Sequence, residues 1–208
     1  MPEASPNRPA PARPRTPKPR TRRGQDTRDS LIKAAEAVIG EVGFAAASIA
    51  DITRRAGIAQ GTFYIYFQSK DEVFRELVLE MGKLTRGFLA DAVADAPDRL
   101  TAERRGLRAF LSFVAERPAL YNIVMEARFV APDAYRAYYT TFARGYAQNL
   151  AAAAREGEIR DGDAEVRAWA LMGMAVTLGE RFAIWESEVD PDALVTEVFD
   201  MLERGLKP

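Results

Sequence analysis

The chain has 208 residues with 29 basic and 30 acidic side chains, a net charge of −1, and it contains neither cysteine nor histidine. The two missing residue types exclude disulfides, thiolate nucleophiles, histidine-based triads and zinc sites of the usual kinds. A hydrophobic share of 48% and a charged share of 28% suit a globular fold, and no apolar run reaches the roughly 18 residues of a membrane span.

In chain order, residues 1–23 hold seven basic residues against Glu3, a balance of +6, and seven of the chain's 12 prolines. The remainder carries 22 basic and 29 acidic residues, a balance of −7. Proline and charge without large apolar side chains cannot form a core, so residues 1–24 are expected to be a disordered basic arm. Such an arm either finds phosphates by charge or merely solubilises the chain. With no signal-peptide apolar stretch, the expected location is cytoplasmic.

From residue 25 the pattern is helical. Leu31, Ala35, Val38, Ile39 and Val42 recur at spacings of three and four, the signature of one buried helix face. Asp26 is a candidate cap, and Gly43 a left-handed terminus. Ser48, with Asp51 three residues on, opens a second helix that ends at Ala56-Gly57. A short helix follows over 60–67, with Phe63 and Phe67 one turn apart on one face. Ser69-Lys70-Asp71-Glu72 is a capping box before a long helix that should bury Val73, Leu77, Leu84 and Phe88. Further helices are expected near 101–117, 118–129, 132–156, 163–186 and 191–205, three of them starting at a first-turn proline. No alternating strand pattern occurs, so the predicted class is all-α.

Residues 48–67 form a helix, a glycine turn and a second short helix, the helix-turn-helix arrangement. Ile49, Ile52, Ile58, Phe63 and Phe67 supply its apolar glue. Gln60, Gly61, Thr62, Tyr64, Ile65 and Tyr66 are left for the outer face, as an amide for a base edge, a glycine for close approach, and hydroxyls for phosphates. Tyr64 and Tyr66 also suit half-buried packing. Arg54 and Arg55 are phosphate contacts or plain surface charges. Lys70 adds a cation at a helix N-terminus that itself favours anions.

These residues resemble the DNA-binding domain of the tetracycline-repressor (TetR) family of one-component transcriptional regulators. The resemblance covers residues 25–85. It rests on Ala35-Glu36, Gly43-Phe44, Ser48-Ile49-Ala50-Asp51-Ile52, Ala56-Gly57-Ile58, Gly61-Thr62-Phe63-Tyr64-Ile65-Tyr66-Phe67 and Ser69-Lys70-Asp71-Glu72. It implies that Gln60, Gly61 and Thr62 lie near base edges, that Tyr64, Tyr66 and Lys70 hold phosphates, and that Ser48 caps the positioning helix close to the backbone. Ile65 could pack on a thymine methyl. Two departures stand out. Tyr66 replaces the family's usual histidine, and Ala59 replaces the usual hydroxyl cap, a loss of about 1 kcal/mol of local stability.

The resemblance further implies that residues 86–208 form a helical regulatory and dimerisation domain that senses a small molecule. Phe113, Tyr121, Met125, Phe129, Tyr138 and Phe142 are the candidate ligand contacts, suited to an apolar or acyl-like effector, with ordinary core packing as the plainer reading. Arg128, Arg136 and Arg144 are candidate anion partners or surface ion pairs. A helix over 163–186 that is apolar on most of its circumference needs more than one partner surface. Trp169, Gly173, Gly179 and Phe182 are therefore the expected homodimer contacts, in the four-helix interface the resemblance implies. The whole would be a repressor, reading a palindromic operator in double-stranded DNA.

Other classes find little support. No G-x-S-x-G, G-x-G-x-x-G or G-x-x-x-x-G-K occurs. Asp161, Asp163 and Glu165 are spaced somewhat like a calcium loop, but the glycine falls at the second position and Met172 at the twelfth, so a turn is expected. No catalytic residue, metal or cofactor is expected. The alternatives are a carboxylate-based enzyme, or a purely structural helical dimer that would not need the polar face of 60–66.

Overall fold

The computed structural model describes residues 19, 21–185 and 190–206. Among these residues there are nine α-helices and no strand: α1 (Arg22–Ala46), α2 (Ile49–Ala56), α3 (Gln60–Tyr66), α4 (Lys70–Val93), α5 (Arg99–Glu116), α6 (Pro118–Val130), α7 (Pro132–Arg155), α8 (Ala164–Gly179) and α9 (Pro191–Leu206). The last turn of the helix expected over 163–186 is a π-helical segment, Glu180–Trp185. No described helix is long and apolar enough to cross a membrane.

Helix α1 starts earlier than its periodicity predicts. Thr21, not Asp26, is its cap, its hydroxyl accepting from the Gly24 amide at 3.1 Å. Residues 22–24 are thus helical rather than part of the arm, and the arm up to residue 18, with Arg20, lies outside the described residues. At the other end Gly43 takes φ 78°, a conformation open to a residue without Cβ. There the chain turns, and Ala47 donates to the Gly43 carbonyl at 3.2 Å.

The core begins with Leu31, Ala35 and Ile39 of α1, adds Ile52, Phe63 and Phe67 from α2 and α3, and takes Val73, Phe74 and Leu77 from α4. It continues without a break into Phe113, Leu120, Ile123, Val124 and Ala134. The boundary expected after residue 85 therefore falls inside α4, which is packed at both ends. Three residues expected inside are not: Val42 is 54% exposed, Leu84 43% and Phe88 38%. Each lies on the solvent side of its helix, Leu84 between the buried Met81 and Thr85, although Phe88 keeps a ring contact with Phe113 at 5.0 Å.

One buried cation ties α1 to α4 and to the end of α3. Arg28, buried in α1, pairs with Glu76 of α4 at 2.7 Å and lies over the Phe67 ring. Helix α6 lies flush on α1, since a Cβ at Gly40 would come within 2.9 Å of the Ala119 methyl. The stretch with Asp161 and Asp163 is an inter-helix turn, as expected. Asp163 caps α8 by accepting from the Glu165 and Val166 amides, and Arg167 donates to the carbonyls of Arg160 and Asp161.

Candidate nucleic-acid interface and internal cavity

The turn between α2 and α3 is built from local chemistry. Ser48 caps α2, accepting from the Asp51 amide at 3.1 Å while its hydroxyl donates back to the Asp51 carboxylate. Those bonds lower the Asp51 pKa, assisted by the neighbouring Arg54. Gly57 closes the helix at φ 66°, ψ 29°, and Ile58 donates to the Thr53 carbonyl at 3.0 Å, a six-to-one closure that needs a left-handed residue. Helix α3 then starts at Ala59 with no side-chain cap, leaving its first amides free of side-chain acceptors. Phe63 and Phe67, 0% and 1% exposed, pin it to the bundle, each burial contributing about 1.5–3 kcal/mol.

What α3 leaves outside is a compact mixed surface. Gln60, Gly61, Tyr64 and Ile65 are exposed and Thr62 is half-exposed. Tyr66 is half-buried against the core, with its phenol beside the first turn of α1, 3.7 Å from where a Gly24 Cβ would sit. The exposed Arg22 and Arg23 lie in that turn. Reading them as arm residues missed that a helix carries them; Thr21, a good cap just before them, was the available signal.

Lys70, which the resemblance implied would hold a phosphate, is engaged within the protomer. Its ammonium donates to the carbonyls of Phe44 at 2.6 Å and Ala47 at 2.7 Å and lies over the Phe44 ring. The α1–α2 corner leaves these carbonyls without helical partners, and the nearest cation satisfies them. Arg54 and Arg55 are likewise engaged on the surface, with Asp51 and Glu41.

Below this domain, α4 to α8 line a half-open cavity of about 390 Å³. Of the candidate ligand contacts, Phe113, Tyr121, Tyr138 and Phe142 line it. Met125 and Phe129 do not. Met125 turns its sulfur toward the Tyr139 phenol, and Phe129 is 82% exposed because it points off the far side of α6. The anion partners expected at Arg128, Arg136 and Arg144 are exposed and line no part of the cavity. Instead Arg86, Arg99 and Glu103 do, residues that sequence reading passed over because a charge on a helix is usually solvated.

The cavity's phenols are tied to the protein. Tyr121 donates to the Val176 carbonyl at 3.2 Å and Tyr138 to Thr85 at 3.3 Å. Burial pushes the Tyr121 pKa up to about 12 and also raises Tyr138 and Tyr139. All three therefore stay protonated donors at neutral pH. Glu103, buried, accepts from Arg99 at 2.7 Å and from the Tyr146 phenol. Burial, then the Glu103 charge, holds that phenol well above its ordinary pKa.

Helix α8 turns a stripe outward in which Val166, Trp169, Ala170 and Gly173 are exposed, as are Trp185 beyond it and Met201 on α9. Nothing lies within 4 Å of a Cβ built on Gly173. Phe182 is half-buried. Gly179 faces the other way: it is buried, and a Cβ there would meet the Phe110 ring of α5 at 3.2 Å. Its small size serves packing within the protomer, not a contact between subunits.

Comparison with known proteins places this architecture. A family model described as bacterial regulatory proteins, tetR family, matches residues 31–77. The chain is 30% identical over 191 residues to the HTH-type transcriptional regulator YdgC of Bacillus subtilis, covering 89% of this chain and 95% of that protein. It is 31% identical over 111 residues to the HTH-type regulator EthR of Mycolicibacterium smegmatis, covering 53% and 51% of the two chains. Among solved structures, the fatty acid degradation regulator FadR from Bacillus halodurans superposes with a TM-score of 0.74 at 22% identity, covering 85% of this chain and 94% of that one. FadR from Bacillus subtilis, solved in complex with stearoyl-CoA, gives 0.73 at 21%, covering 84% and 96%. The chain belongs to the TetR family of DNA-binding transcriptional regulators.

Proposed function

We propose that this protein is a homodimeric repressor whose helix α3 reads a palindromic operator and whose α4–α8 cavity binds a small apolar or acyl-like effector that releases it. Residues 25–85 would be the DNA-binding domain and 86–208 the regulatory and dimerisation domain. The observation that carries this reading is α4 itself. Its first turn holds the α1–α2 corner through Lys70, and its later turns line the cavity. One rigid element thus touches both sites. A ligand that binds better to one pose of α4 shifts the population of that pose, and with it the spacing of the two recognition helices. The cavity size falls within the roughly 300–1,000 Å³ of ligand pockets, and the stearoyl-CoA complex of the similar fold supports an acyl-like occupant.

At the operator, Gln60 would read a base edge, Gly61 and Thr62 would allow close approach, and Ile65 would meet a thymine methyl. Tyr64 and Tyr66 would contact phosphates, and Ser48 would position α2 near the backbone. Selection of bound sequences from a random duplex library is the test. A palindrome with half-sites about 34–36 Å apart is expected. Gln60→Ala should relax preference at one position per half-site at a cost of about 1–3 kcal/mol. An unchanged motif and affinity would remove Gln60 from the reading surface.

A further inference from the structure

The charges that line the cavity do not balance. They are two guanidiniums, Arg86 and Arg99, and one carboxylate, Glu103. Arg99 and Glu103 cancel: they pair at 2.6 Å, at 14% and 5% side-chain exposure, and Tyr146 takes the other carboxylate oxygen. Arg86 makes no ion pair among the described residues. It is half-buried on α4, and it is also held in place. Gly82, one turn earlier, leaves a notch in which Nη1 of Arg86 and the Tyr138 ring would each lie 3.0 Å from a Cβ. Its charge is felt by the Tyr138 phenol, offsetting part of the rise that burial imposes.

A half-buried guanidinium with no counter-ion among the described residues is a ready partner for an anion that arrives with the ligand. The two polar positions lie at opposite ends of the slot. Arg86 sits beside Thr85 and Tyr138, toward the DNA-binding domain. Glu103 lies beyond Gly106, which faces Val93 near the end of α4. Along α7, Tyr138 and Tyr146 are about 12 Å apart at the usual rise of a helix. Between them the wall is mostly apolar, from Leu89, Leu107, Phe110, Phe142, Leu171 and Met172, with Thr141 as a polar exception.

We propose that Arg86 is the anion-recognition residue of the cavity, and that the effector is an anionic amphiphile whose carboxylate or phosphate meets Arg86 while its alkyl chain runs along the slot. This rests on the cavity being the effector site. At the far end Glu103 already pairs with Arg99, and the other polar groups there, Gln148 and Asn149, are uncharged, so the orientation with the anion at Arg86 is favoured. A guanidinium fits either oxyanion with two parallel hydrogen bonds, which an ammonium cannot do.

The test is titration of the full-length protein, at neutral pH, with three probes of equal chain length: dodecanoate, dodecyl phosphate and 1-dodecanol. The wild type should bind at least one anion about tenfold or more tighter than the alcohol, the yield of a charge-assisted pair. Whichever anion binds better names the headgroup. Arg86→Gln should lose that preference and keep its affinity for the alcohol, which shows that the cavity remains folded. Arg86→Lys should keep part of the preference. Equal binding of alcohol and anions by the wild type, or a preference that survives in Arg86→Gln, would overturn the assignment of Arg86. Failure of all three probes to bind the wild type would overturn the cavity as effector site, and this inference with it.

Discussion

At the scale of single residues, Lys70 shows how one cation can serve two different ends. In isolation a lysine beside a capped helix N-terminus suits a phosphate, yet its three donors meet the carbonyls of the α1–α2 corner. The two roles predict different behaviour. A phosphate contact, when removed, lowers the slope of log affinity against log salt by about one. Lys70→Ala should instead leave that slope unchanged. It should lower stability by about 1–3 kcal/mol, because part-buried carbonyls lose a charged donor, which is a fall in Tm of about 2–4 °C per kcal/mol in a chain of this size. Parallel salt titrations of operator binding and thermal melts decide between the two.

At the scale of elements, α6 is the second link between the cavity and the reading head. Leu120, Tyr121 and Val124 line the cavity. From the same helix, both carboxylate oxygens of Glu126 accept the Phe44 amide at 3.0 Å. That amide has left the helix because Gly43 turns the chain. Glu126→Ala should free it, speeding its hydrogen exchange about tenfold or more, the equivalent of the 1–3 kcal/mol cost of an unmet donor. Operator affinity should fall alongside, because the corner orients α2. Glu126→Gln keeps an acceptor and should restore most of both. Exchange and affinity unchanged in the alanine variant would mean that α6 carries no coupling through this bond.

For the molecule as a whole, the outward stripe of α8 is the surface on which a twofold partner would sit. One recognition helix spans too few base pairs to single out a site in a genome, so in the proposed dimer the operator geometry would depend on this pairing. Gly173 offers a clean probe because a Cβ built there has nothing within 4 Å in its own protomer. Gly173→Leu should leave the melting temperature of the protomer nearly unchanged, while sedimentation at micromolar concentration shows loss or distortion of the dimer and operator binding drops. A leucine at Gly179 would not separate these effects, since it collides with Phe110. A wild-type monomer that bound a palindrome tightly would contradict the arrangement.

The sequence by itself determined the helices of this protein and the outline of its reading head. Those features depend on neighbours a few residues away: the three-and-four spacing of Leu31 to Ile39, the Ser48 and Ser69 caps, the prolines that open α6, α7 and α9, and a glycine at residue 57 where only a left-handed residue closes the turn. The helix-turn-helix motif packs these signals into twenty residues, so its buried Phe63 and Phe67 and exposed Gln60 and Tyr64 were legible in one dimension. Tertiary structure alone decided which charges and which small residues are used, and for what. Arg86 and Arg136, or Gly173 and Gly179, are alike in composition and in helical context. What separates them is a contact with a residue tens of positions distant, which puts one arginine in a cavity and the other in water, and one glycine against Phe110 and the other at an open face. Periodicity tells a helix which side is apolar, but which neighbour covers that side, and whether water reaches a charge, is set only when the helices pack.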